Sequence, residues 1–359
     1  MTDYDTLKGD LLATSDAIYQ QGLTDQQGID STTLAALNAT IAALRTEEAD
    51  DEATIAQLQA ELAALQNPPP PPPPPPANRV DAGVYTSGQG TNPDVDTLTA
   101  NWSKKPTSRS AYIAPFPGTT AGFVPSVPAK LKTPGVRFAH VGLSTKAKFP
   151  WTDFTAGKVD TETVAYLKLL NSLGYLIVVC VENEPDLKID VAADTIPGQT
   201  PAQHVAATQH LAKLIKDNGL ANLSPGVWLA GSGAQAKSFL VDPAIAPHLG
   251  VDPYLLGDQP ATETATTTWG RYFTRVGVDP ANTKYILHIF ETAVVNNGKF
   301  TDAQMVSRIA TMPQAVKDLH LASVTIFWAN SGTRPYVPTS SQPTVIKAYQ
   351  DALAGMISG

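Results

Sequence analysis

"VVCVENEPDL", residues 178–187, decides how the rest of the chain is read. Val178, Val179, Cys180 and Val181 make the continuous apolar run of a buried strand. Burial alone gives such a strand no reason to end in Glu182 and Glu184 around Asn183, with Pro185 directly after. Either those acids are solvated loop residues, or the tip of this strand is where chemistry happens.

Working outward, seven further strand-like runs flank this one: "DAGVYTSG", a weak "RSAYIAPF", "GVRFAHVGLS", "GVWLAGSG", "LGVDPYLLG", "KYILHIFETA" and "VTIFWANSG". Amphipathic stretches lie between or after them, including "TPAQHVAATQHLAKLIKDNG", "DAQMVSRIATMPQAVKDLH" and "QPTVIKAYQDALAGMIS". Strands alternating with helices imply a parallel sheet with helical crossovers. Eight strands over residues 79–359 fit an α/β fold of the (β/α)8 TIM-barrel type. An open doubly wound sheet is the alternative. It fits less well because "GQGTNPD" lacks the glycine spacing of a phosphate-binding first turn.

In a barrel of this type the site lies at the C-terminal ends of the strands. Those ends read Glu182-Asn183-Glu184-Pro185, Asp252-Pro253-Tyr254, Glu291-Thr292 and Trp328-Ala329-Asn330. Glu184 closes the fourth strand and Glu291 the seventh; their 107-residue separation is three βα units of ordinary length. Two carboxylates across a cleft are what glycosidic hydrolysis needs: one protonates the leaving oxygen, the other attacks the anomeric carbon or activates water. Each group also has a plainer reading. Glu184 could be a solvated loop acid, Asp252-Pro253-Tyr254 the start of a turn, and Trp328 a cap on the core. His288 and Glu291 are not read as a metal pair, because strand residues three apart point to opposite faces. No metal and no cofactor is expected. His140 and Trp151, in the third strand–loop segment, are subsite candidates.

An acid in an Asn-Glu-Pro motif after strand four and a Glu after strand seven resemble the retaining glycosidases of clan A. "GLANLSPGVWLAG", "LGVDPYLLG", "ILHIFETA" and "VTIFWANSG" are similar to the family 26 branch and to its relatives in minor tail proteins of phages that infect actinobacteria. Asn183 stands where family 26 members usually place a histidine. The resemblance implies a general acid/base at Glu184 and a nucleophile at Glu291. It also implies Asn183 on the sugar 2-hydroxyl, Tyr254 hydrogen-bonded to the nucleophile and Trp328 as a stacking floor. The chain would then be a tail-tip component of the virion acting on host cell-wall polysaccharide, as an enzyme or as a non-catalytic receptor-binding or structural subunit.

The first 78 residues have a different character. Leu34, Leu37, Ile41, Leu44, Ile55, Leu58, Leu62 and Leu65 share one heptad register, broken only at Glu48 and Asp51. That pattern predicts a coiled coil over residues 34–66, with a single amphipathic helix as the rival. Trimer rather than dimer follows from the resemblance to tail fibres. Residues 1–33 carry a weaker pattern interrupted by Gly22 and Gly28, and are read as an attachment segment for other tail proteins or a frayed helix. Residues 67–78 are the linker: nine prolines, Pro68–Pro76, predict a stiff polyproline spacer of roughly 28 Å.

Residues 1–67 carry a net charge of −10, leaving about +2 on the remainder. The head therefore lacks the basic stripe that nucleic-acid binding requires. A single cysteine, Cys180, excludes an internal disulfide and is read as a buried thiol. Neither a signal peptide nor a membrane-inserting run of 18 apolar residues is expected.

Overall fold

The computed structural model describes residues 2–24, helical positions 35–36, 38–46, 48–49, 51–52 and 55, and then 79–85, 95–113, 127–143, 150–189, 199–255, 259–260, 262–294, 300–328 and 342–357. The chain falls into two units, residues 1–70 and 71–359. In the first, α1 (Thr2–Thr24) runs through Gly22 without a break. The described positions between 35 and 55 are also helical, with Leu44 59% and Ile55 44% exposed. Leu34, Leu37, Leu58, Leu62, Leu65 and the proline run lie outside the described residues. No helix among the described residues is long and apolar enough to cross a membrane.

The second unit is a closed barrel of eight parallel strands in chain order. These are β1 (Asp81–Tyr85), β2 (Ser108–Ile113), β3 (Phe138–Leu143), β4 (Leu176–Val181), β5 (Leu223–Leu229), β6 (His248–Val251), β7 (Ile286–Thr292) and β8 (Ser323–Phe327). β8 pairs with β1 through five consecutive partners, Asp81 with Ser323 to Tyr85 with Phe327, which closes the ring. The helices are α2 (Val95–Leu98), α3 (Trp151–Thr155), α4 (Asp160–Asn171), α5 (Pro185–Lys188), α6 (Pro201–Asp217), α7 (Ala265–Arg275), α8 (Asp302–Ile309), α9 (Met312–Asp318) and α10 (Pro343–Met356).

The apolar run on β4 is explained by its two faces. Val178 and Cys180 point into the barrel with Phe138, Trp228 and Phe290, while Ile177, Val179 and Val181 join the larger core under the helices. The interior is filled by setting large side chains against glycine. A Cβ on Gly250 would lie 1.9 Å from the Phe290 ring, and one on Gly226 would lie 2.4 Å from Val178. The lower interior is polar. His288 Nε2 meets His248 Nδ1 at 2.8 Å, and its Nδ1 meets Ser323 Oγ at 2.8 Å. Burial drives these imidazoles toward the neutral form, His248 down to about 4 and His288 well below its usual value.

Outside, α6 shows why these segments become helices. Thr200 and Gln203 form a capping box, Pro201 starts the helix, and His204, Ala207, Thr208, Leu211, Leu214 and Ile215 bury one stripe. The stretch expected as one helix after β7 is two. α8 ends at Ile309, and Thr311 accommodates Pro313 at the start of α9.

Candidate active site

Three of the strand tips singled out above meet at the barrel mouth, each by a different local device. After β4 the chain bends sharply. Glu182 and Glu184 both have left-handed backbone, with φ of 62° and 51°. For residues bearing a Cβ this costs roughly 1–2 kcal/mol each and persists only where the surroundings enforce it. Here the Glu182 N–H donates to Leu143 O at 2.9 Å, and the Glu184 N–H donates to Trp228 O at 3.0 Å. The turn is thus tied to β3 on one side and β5 on the other. It also changes which side chains face inward. Asn183 sits over Gly142 at the mouth, whereas Glu182, 4% exposed, acts electrostatically on His204 of α6. Glu184 remains partly exposed.

Glu291 reaches the mouth through a bulge. Ile289 belongs to the outer core and Phe290 to the barrel interior, so strict alternation would turn Glu291 outward. Ile289 pairs with Val324 but Thr292 with Ile326, which leaves one extra residue in β7. Such an insertion re-aims the side chains beyond it. Glu291, 3% exposed, therefore accepts the Tyr254 hydroxyl on Oε2 at 2.9 Å, the bond expected for that pair. Its Oε1 is buried with no hydrogen-bond partner among the described residues. The same bulge corrects the parity used to separate His288 from Glu291. Both lie on the interior side, but both nitrogens of His288 are engaged deeper down by His248 and Ser323.

Tyr254 is placed by main-chain zipping between the segment after β6 and the end of β7. Thr292 Oγ1 donates to Pro253 O at 2.6 Å, and the Leu255 N–H donates to Ala293 O at 2.9 Å. A single parallel bridge, Leu255 to Val294, carries the β6–β7 pairing past Asp252-Pro253-Tyr254, which does not form a turn. Asp252, 2% exposed, accepts the Trp228 indole N–H at 2.6 Å. Burial first, and then the charge of Glu184, push its carboxyl well above the ordinary carboxylate range, against the Trp228 indole and the Glu291 main-chain N–H. Burial also raises Glu291 well above its usual value. The strongly desolvating part of the mouth is thus at Glu291 and Asp252.

Three other expected site residues sit elsewhere. Trp328 is 2% exposed in the outer core, edge-on to Trp102 and to Tyr349 of α10, so it offers no face to a sugar. Trp151 is 3% exposed beneath the helices, at 5.1 Å from the His204 ring. His140 is fully buried inside the barrel, stacked on Phe290 at 4.3 Å and against Trp228 at 4.7 Å, and burial holds it down to about 3. Strand parity turns His140 into the barrel interior, Trp151 opens α3 and packs under the helices, and Trp328, just past β8, turns into the outer core.

The aromatic wall of the mouth comes from residues the sequence reading passed over. Tyr85 stacks on Phe327 at 5.3 Å and meets Tyr112 edge-on at 5.1 Å. Phe327 in turn faces Tyr254, and Tyr112 lies 5.0 Å from the Trp228 ring. Burial, then the Glu291 charge, raises the Tyr85 hydroxyl, which places that tyrosine in the field of the buried acid. Lys130 Nζ lies 4.6 Å over the Tyr85 ring, and burial, then Arg109, lowers it to about 8. Tyr85 and Phe327 were legible as the last residues of their strands. Lys130 had no sequence signal.

No family profile matches the chain, and comparison with curated proteins finds no relative. Solved structures do match. GH26C from Muricauda sp. aligns at TM-score 0.52 and 10% identity, covering 77% of this chain and 86% of that one. A ruminal GH26 endo-beta-1,4-mannanase aligns at TM-score 0.49 and 10% identity, covering 78% of this chain and 62% of its own length. A beta-mannanase from a symbiotic protist of the termite Reticulitermes speratus aligns at TM-score 0.49 and 12% identity, covering 78% and 90%. At these identities the likeness is one of fold: a (β/α)8 barrel of the kind seen in GH26 structures.

Proposed function

We propose that the head is a retaining glycoside hydrolase directed at host cell-surface polysaccharide, presented at a phage tail tip by an oligomeric N-terminal stalk. The observation that carries the enzymatic part is the state of Glu291. One carboxylate oxygen is fixed by Tyr254, while the other is buried and unbonded among the described residues, as a nucleophile requires. In this reading Glu184 protonates the leaving oxygen as Glu291 Oε1 attacks the anomeric carbon. Glu184 then takes a proton from the water that releases the sugar. Asp252, held beside them by the Trp228 indole, is read as a substrate-binding group. The oligomeric stalk rests on the heptad register and the proline run; the tail-tip setting, the trimer and the partnership with other tail proteins rest on the resemblance to phage tail proteins.

The test is to incubate the full chain with purified actinobacterial cell-wall polysaccharide, with β-1,4-mannan alongside, and to assay new reducing ends. Release by the wild type that falls to a trace in Glu184→Gln and disappears in Glu291→Gln, both still folded by circular dichroism, supports hydrolysis. Absence of release together with polysaccharide binding that both variants retain would leave a receptor-binding head.

A further inference from the structure

The loop after β4 holds a third acid that the proposed chemistry does not use. Asp186 is fully buried two residues beyond Glu184, at the second position of α5. Three main-chain N–H groups of one neighbouring loop reach its carboxylate. Oδ1 accepts the Ala230 N–H at 2.7 Å, and Oδ2 accepts the N–H groups of Gly231 at 3.0 Å and Gly233 at 3.3 Å. Burial raises the Asp186 carboxyl, the three main-chain donors pull the other way by favouring the charged form, and they bind the loop after β5 to the loop after β4.

The loop after β5 is shaped to wrap this side chain. Gly231 has φ of 69°, which only glycine adopts freely. A Cβ on Gly233 would stand 2.3 Å from the Asp186 carbonyl oxygen, so the two backbones touch. On the other side of Pro185, Glu184 has its left-handed φ and is tied to the same strand through Trp228 O. A strained residue is thus held from both ends by β5 and its loop.

We propose that Asp186 is the positioning residue of the Glu184 turn, clamping the loop after β4 onto the loop after β5 so that the carboxylate of Glu184 is presented at the mouth. The kinetic consequence rests on the hydrolase reading above; the structural one does not. Asp186 lies too deep to touch a sugar, and each of its bonds is to main chain. Asparagine in its place would set an amide donor against the N–H of Ala230 or of Gly231 and Gly233, opening the clamp with almost no change of volume.

The experiment compares full-length wild type, Asp186→Asn, Glu184→Gln and the double variant by crystal structure and by kinetics on the cell-wall polysaccharide. In Asp186→Asn the loops should separate and Glu184 should relax from positive φ. Its kcat should fall at least about tenfold with KM changed less than about twofold, since small misplacements of a catalytic group act on the chemical step. Because Asp186 acts through Glu184, the double variant should be no slower than Glu184→Gln alone. Glu184 retaining its positive φ in Asp186→Asn, or a double variant slower by the product of the single losses, overturns the proposal. Gly233→Ala wedges the same loops apart from the opposite side and should reproduce the kcat loss. If Asp186→Asn fails to fold, unchanged kcat in folded Gly233→Ala counts against the clamp. If wild type releases no reducing ends, the hydrolase reading fails while the φ of Glu184 still decides the clamp.

Discussion

At the scale of residues, the site depends on how a buried glutamate is kept ready to ionise. Burial raises the Glu291 carboxyl above its ordinary 4.5, and the Tyr254 hydroxyl stabilises the charged form against that push. In the proposed mechanism Glu291 attacks only when ionised, so activity should rise as pH passes its pKa, with an acid limb above 4.5. Tyr254→Phe removes the stabilising donor. The acid limb should move to still higher pH, and kcat/KM at neutral pH should fall roughly 10- to 100-fold, since a hydrogen bond to a charged group is worth about 1.5–3 kcal/mol. A pH–rate profile of the variant on the cleaved polysaccharide checks both, and an unmoved limb would assign it to another group. The place of Glu184, Glu291 and Tyr254 at the barrel mouth was legible because polar residues at the ends of apolar runs are unusual. Trp328, Trp151 and His140 misled because nothing in a short run of sequence says which face of the strand or helix an aromatic side chain takes.

At the scale of elements, the strand runs marked all eight staves, including the weak second one, because alternating faces and flanking glycines are local signals. The β7 bulge left no such mark, since one extra residue is visible only when Ile289 and Thr292 are paired against Val324 and Ile326. The left-handed turn at Glu182 and Glu184 was equally hidden, because neither position is glycine. The interior packing gives a direct test of how tightly the bulged strand is held. Gly250→Ala puts a methyl group 1.9 Å from the Phe290 ring. It should destabilise the head by roughly 1–3 kcal/mol or more, as overpacked cores do. Chemical denaturation measures this, and adding Phe290→Leu should recover part of the loss. No loss in Gly250→Ala would show that the Phe290 ring has room to move aside.

At the scale of the molecule, a seam of Leu and Ile precedes a proline run and a barrel head. Light scattering should show that the full chain is oligomeric and residues 79–359 monomeric. Alanine at both Leu58 and Leu62 should dissociate the full chain, since each buried leucine lost costs roughly 2–5 kcal/mol in a well-packed core. Equal subunit counts for the full chain and the head would remove the stalk from the account. The central claim is that two carboxylates at one mouth cleave a glycan through a covalent intermediate on Glu291. The most direct measurement is proton NMR of the first reducing ends released from the cell-wall polysaccharide, read before mutarotation. The new anomeric centre should keep the configuration of the linkage cleaved. An inverted anomer, or release that persists in Glu291→Gln, would contradict it.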